Sequence, residues 1–316
     1  MADHKSKVED ALNEARILVL GGQVIIGAAM RIYFVSAWDE LQWPMRLELT
    51  IVLGLMLVAI GLLLFPAAYH QIVTKGEDSP DVHLQATAVM DWALAIFALG
   101  LGSYTAMAAL NFLGVGWAVA TGTAGFVAAV ALWYGVPWIA KRHDKRDTHR
   151  KLHQQEQRER KEKGGPLTSL EEKIKTALIE CRIVLPGAQA LLGFQLVTFV
   201  EPGFKPLPVA DKVLHIVSLI CVANCTILLM APAAFHRIAE AGENTERMYR
   251  YTSQMLLASM FFLALGICGD YAMVLHKTFS SYPLAIGTAA LLLLFFFGLW
   301  FGFSMYRRRF PAPEPA

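Results

Sequence analysis

Long apolar runs along this chain are separated by short polar breaks. Eight runs stand out, at 17–36, 47–69, 87–110, 115–139, 177–200, 213–235, 252–275 and 283–306. They are apolar all round rather than at alternate positions, so they do not read as strands of an outer-membrane barrel. Runs of about 20 apolar residues have the length a helix needs to cross a hydrocarbon core. The pattern predicts an all-α membrane protein with eight transmembrane helices.

The runs also repeat. Sliding the sequence by 166 positions aligns its halves without a gap from the first run through the third. Glu14-Ala15-Arg16-Ile17 meets Glu180-Cys181-Arg182-Ile183, and Gly21, Gln23 and Gly27 meet Gly187, Gln189 and Gly193. "FPAAYH" at 65–70 meets "APAAFH" at 231–236, each followed shortly by Gly-Glu. Four runs make one unit and four is even, so both copies enter the membrane in the same direction. The expected architecture is two parallel four-helix repeats, 1–140 and 170–316, related by an axis along the membrane normal. A charged linker, 141–169, joins them; "GGP" breaks it, and Ser169-x-x-Glu172 forms a capping box for the fifth run. Ser6-x-x-Glu9 offers the same signal before the first.

Composition agrees with the pattern. Hydrophobic residues make up 55% of the 316 positions and charged residues 17%, with a mean hydropathy of +0.44. The net charge of +2 matters less than its placement. Cations crowd into 141–163 and 306–310 and into the second-to-third and sixth-to-seventh connections. That bias predicts a multi-pass protein of a bacterial inner membrane with both termini and the linker in the cytoplasm. The polar N-terminal segment runs straight into the first span, which is expected to insert uncleaved. The four cysteines lie within or at the edge of spans, without a C-x-x-C pair, and read as packing residues.

Several motifs resemble those of a bacterial four-helix membrane family of unknown function (DUF6328-like), some of whose members carry a sodium:proton antiporter label. The second half carries the likeness best, in "ECRIVLPGAQALLGFQL", "FVEPGF", "LLMAPAAFHRIAEAGENTERMYRY" and "ALGICGDY". The first half keeps Glu14, Arg16, Gln23, Pro66 and His70, but has Tyr104 where the second has Asp270. The resemblance implies the repeated helical unit; what it implies about function extends only to the transferred label.

Ionisable groups inside a bilayer are costly and mark candidate sites. Arg16, Gln23 and Gly27 share one helix face, as do Arg182, Gln189 and Gly193. With Glu14 and Glu180 they make either a cytoplasmic polar vestibule or a helix-packing seam with arginines reaching the interface. Pro66 and Pro232 are expected to kink their helices, with His70 and His236 one turn beyond. Those histidines suit proton or cation handling, anionic lipid binding, a b-type haem held between them, or a simple interfacial cap. Asp270 lies deep toward the outer face, and Arg31 and Gln195 lie near its level. An Asp270–Arg31 pair across the repeats would serve as a proton or cation site, or as a lock between halves.

No phosphate-binding glycine loop, zinc-ligand spacing or nucleophile–base pattern occurs, and nothing argues for an enzyme. The mixed charge of the linker fits a solvated helix rather than a nucleic-acid surface. The sequence therefore predicts an ion transporter, with proton-coupled cation (sodium/proton) exchange as its mode and proton, monovalent cation and membrane lipid as partners. A non-transporting scaffold or lipid-binding module is the competing class. Homo-oligomerisation is open.

Overall fold

Apolar sequence with few breakers leaves the backbone one way to satisfy its hydrogen bonds in lipid, and the chain takes it: among the described residues every regular element is a helix. The computed structural model describes the backbone of residues 2–76, 80–143 and 169–310, and the side chains of 17–76, 89–110, 113–139 and 169–310. The first repeat contains α1 (Ala2–Ile32), the short α2 (Ala37–Glu40), α3 (Trp43–Ile72), α4 (Pro80–Leu113), α5 (Val115–Val130) and α6 (Val136–His143). The second contains α7 (Leu170–Thr198), α8 (Val209–Ile238), α9 (Glu246–Phe279), α10 (Tyr282–Phe297) and α11 (Ser304–Arg309). A π-helical turn joins α5 to α6 and another joins α10 to α11, so each pair is one long helix.

Seven of these helices are long and apolar enough to cross a membrane; the first run contributes a shorter apolar stretch, Ile17–Ile32, at the end of α1. The eight runs of the sequence thus become seven membrane-length helices and one shorter apolar helix among the described residues.

Local signals fix the ends. Ser169 and Glu172 form the reciprocal capping box at the start of α7, and Thr245 caps α9 by accepting the Met248 N–H at 3.0 Å. α1 runs as helix from Ala2, and the Ser6 side chain lies outside the described residues. Both "PAA-aromatic-His" segments end in the same turn. The N–H of Gly76 donates to the His70 carbonyl at 3.2 Å, and that of Gly242 to the His236 carbonyl at 2.9 Å. The left-handed φ of +76° at Gly76 and +88° at Gly242 explains why glycine stands there twice. Pro66 and Pro232 both lie inside continuous helices, α3 and α8.

The repeats associate through α1 against α7 and through α3 against α9 and the α10–α11 helix. Glycines permit the close contacts. A Cβ on Gly27 would lie 2.3 Å from the Phe194 ring, and one on Gly61 would lie 2.4 Å from Phe296. Trp300, fully buried, donates its indole N–H to the Gly61 carbonyl at 2.7 Å and stacks on Phe296. This clamp makes α3 the most enclosed helix, 72% buried over its apolar window, whereas the α5–α6 helix is 17% buried and rests chiefly on α4. A cleft of about 910 Å³ opens between α5 and the start of α3, bordered by Glu40 and Glu48. The bundle is therefore repeated in sequence but asymmetric in packing.

Candidate functional site

Toward the end of the bundle away from the chain termini, Asp270 is 4% exposed. It does not meet Arg31. Arg31 bonds Glu201 at 2.5 Å, its own side chain 44% exposed, so the sequence-based pairing of Arg31 with Asp270 is replaced. Arg31 lies in the last turn of α1 and Glu201 begins the "EPGF" loop after α7, so the loop carboxylate satisfies the cation at the rim of the bundle.

Asp270 instead binds His215 and Gln195. His215 Nδ1 lies 2.9 Å from Asp270 Oδ1, Gln195 Nε2 donates to Asp270 Oδ2 at 2.6 Å, and His215 Nε2 lies 3.0 Å from the Gln195 carbonyl oxygen. Three helices supply the cluster: α7 gives Gln195, α8 His215 and α9 Asp270. Gly266 and Gly269 bring α8 close, for a Cβ on Gly269 would lie 2.2 Å from Ser218 Oγ, one turn from His215. The "EPGF" loop covers the cluster. Gly203 N–H donates to the Phe34 carbonyl at 2.7 Å, and Phe199 and Phe204 flank the His215 ring at 4.9 and 5.3 Å. One turn before His215, Asp211 bonds His276 at 2.7 Å, nearer the rim.

Both ring nitrogens of His215 face oxygen acceptors, yet a neutral imidazole donates from only one. Every contact is satisfied when the pair holds one further proton, either as imidazolium beside carboxylate or as neutral imidazole accepting from a protonated Asp270. Removing that proton sets a lone pair against an oxygen. Beside the cluster lies a small cavity lined by Gly27, Met30, Leu191, Phe194, Gln195 and Asp270, with room for about one water.

A second histidine–carboxylate pair sits at the opposite end. His70 Nδ1 lies 2.7 Å from Glu180 Oε1, and Gln71 donates to the other Glu180 oxygen. His70 is 1% exposed and Glu180 fully buried. The pair joins α3 of the first repeat to α7 of the second, and Tyr249 reaches Gln71 at 3.4 Å. Measured along α7, Glu180 and Gln195 stand about 22 Å apart at the α-helical rise.

The other expected site residues disperse. His236 is half-buried on α8. Arg182 and Gln189 are exposed, whereas their repeat-mate Gln23 is fully buried. The side chains of Glu14 and Arg16 lie outside the described residues. Sequence reading missed His215, Asp211, His276 and Glu201. The available signal was the i, i+4 pair Asp211 and His215 in "DKVLHIV", a charged face early in the sixth run with only Met45 and Leu49 at the matching first-half positions. Among the described residues no group of three or more His, Cys, Asp or Glu is arranged to hold a metal ion.

The fold is thus an all-helical, membrane-type bundle built twice from one sequence unit. Residues 4–137 and 167–304 each match the model of a family of unknown function, DUF6328, and the chain belongs to that family, duplicated in tandem. No curated protein and no solved structure matches.

Proposed function

We propose that this protein is an eight-span transporter of a bacterial inner membrane, with both termini cytoplasmic, that couples proton movement to a monovalent cation. The Asp270–His215–Gln195 cluster is its proton site. The observation that carries this reading is that both His215 ring nitrogens face acceptors in a buried site, an arrangement completed by an added proton. A carboxylate and imidazole deep among apolar helices are costly to keep unless they are used. His70–Glu180–Gln71 gives a second proton-holding station at the other end, and Asp211–His276 connects the first to the rim. Arg31 serves the site indirectly, by anchoring the loop that covers His215.

Reconstituted vesicles holding a pH-sensitive dye test the proposal. A sodium or potassium pulse is expected to move protons through wild type and not through Asp270→Asn. Absence of flux above empty vesicles overturns it.

The competing reading, an anionic-lipid-binding scaffold, draws on the exposed Arg182, Arg237, Arg308 and Arg309 at the end that carries the His70–Glu180 pair. It predicts co-purified anionic lipid without flux. A haem between His70 and His236 would appear as a Soret band in the purified protein.

A further inference from the structure

In the first repeat α5 packs along α4 and leaves a gap to α3. Gly102 and Gly122 pin the crossing: a Cβ on Gly122 would lie 2.7 Å from Ala106 Cβ, and one on Gly102 would lie 3.0 Å from Phe126 Cβ. α5 thereby follows α4, and the cleft of about 910 Å³ opens between it and the start of α3. A smaller cavity of about 320 Å³ adjoins the cleft and shares Glu48, Ala106, Ala118 and Val119 with it. The larger space alone has the volume of a drug-sized ligand site, about 300–1,000 Å³.

The walls are mostly apolar, from Met45, Leu110, Val115 and Val119, but two carboxylates interrupt them. Glu40 ends α2, and Glu48 lies beyond Trp43 by about 7–8 Å of helical rise along α3. Glu48 is exposed, and it accepts a hydrogen bond from the buried Ser103 Oγ at 2.9 Å. Among the described residues the ion pairs of Lys and Arg go to Glu201, Glu240, Glu246 and Asp39, and none to Glu40 or Glu48. Arg46, close by in sequence, is committed to the Leu41 and Asp39 carbonyl oxygens and to the Trp38 ring. The second repeat has Pro206 and Leu214 at the matching positions, so the repeated fold does not require acids there. Acyl chains would fill such a cleft without answering its charge, and an unanswered carboxylate at membrane depth is costly.

We propose that this cleft binds a lipophilic organic cation, an ammonium- or phosphonium-type charge carried on an apolar body. The charge sits at Glu48, where the two cavities meet, and Glu40 adds a second carboxylate at the edge. Leu110, Val115 and Val119 take the apolar body. Phe126, in the smaller cavity, adds a ring of the kind that attracts such cations. Apolar contact supplies affinity, and the carboxylates select the sign of the charge. The site shares no residue with the Asp270–His215–Gln195 cluster and does not rest on the transport reading.

Full-length protein in detergent, dialysed against tritiated tetraphenylphosphonium with empty micelles as the blank, tests the site. Tetraphenylborate, nearly the same shape with the opposite charge, is the control. Wild type is expected to bind the cation saturably and the borate at least about tenfold more weakly, between the effects of an exposed and a desolvated charge pair. Glu48→Gln keeps the side chain's size and is expected to hold its melting temperature while weakening cation binding by about the same tenfold or more. Val119→Trp fills the cleft from an exposed position and is expected to abolish binding of both ions. Asp270→Asn is expected to bind as wild type does, so binding without proton flux keeps the cleft and overturns only the transport reading. Equal binding of the two ions by wild type overturns the proposal, as does unchanged cation binding in Glu48→Gln or Val119→Trp. An ethanolamine phospholipid retained by wild type in native mass spectrometry, and not displaced by tetraphenylphosphonium, also overturns it by giving the carboxylate to a headgroup.

Discussion

Asp270, His215 and Gln195 in the second repeat correspond to Tyr104, Leu49 and Ala29 in the first. Where the second repeat closes a carboxylate, an imidazole and an amide on one another, the first sets a Tyr104 hydroxyl donating to the Leu49 carbonyl at 3.3 Å. One half thus holds an ionisable cluster and the other an uncharged tyrosine at the same level. Packing follows a related asymmetry. The closing helix of the second repeat crosses to clamp α3 through Phe296 and Trp300, while that of the first stands off beside α4. Duplication gave the chain two frames, of which one has been charged and the other closed down.

That difference can be broken by conversion. Asp270→Asn is expected to reduce proton flux about 100-fold or more, the scale of a positioned proton-transfer group. Tyr104→Phe is expected to leave flux unchanged in the same vesicle assay, and equal losses in both would end the asymmetry. Trp300→Ala removes a fully buried ring and its bond to Gly61, with an expected cost of about 3–5 kcal/mol. On the outlying helix, Tyr134→Ala should cost about 1 kcal/mol or less; thermal unfolding in detergent compares them.

Rewriting the second repeat as the first, by His215→Leu with Asp270→Tyr, should abolish flux yet shift stability little. A buried charge pair exchanged for apolar bulk is often neutral, whereas Asp270→Ala alone leaves His215 unmatched and should cost about 3–5 kcal/mol. The smallest effect belongs to the rim. Arg31→Gln breaks a partly exposed pair with Glu201 and should cost about 0–1 kcal/mol, read as a small drop in melting temperature.

How much of this was legible beforehand depends on which physical signal each feature leaves. The repeat was legible because Pro66, His70 and Gly76 recur at a fixed offset as Pro232, His236 and Gly242, and the Gly76 and Gly242 turns give that recurrence a backbone cause. Helices were legible because apolar runs in lipid permit little else. Asp270 and Gln195 were legible as ionisable or amide groups at similar depth. Their true partner was not, because helix rotation decides contacts and apolar-all-round runs carry no facing signal. Arg31 matched Asp270 in depth but met Glu201, which lies in a loop that depth reasoning placed nowhere. The prolines marked positions inside helices rather than ends, since α3 and α8 run on through Pro66 and Pro232. The division of Gln23 from Gln189 was invisible too, for symmetry in sequence gives no warning of asymmetry in packing.

The most direct test of the central claim, that the second-repeat cluster holds a proton exchangeable for a cation, needs no membrane. Sodium or potassium is added to weakly buffered, purified protein and the protons released per chain are counted. Wild type is predicted to release about one, as linkage between a shared site and two ligands requires, and His215→Leu with Asp270→Tyr to release none. No release from wild type, or equal release from both proteins, contradicts the account.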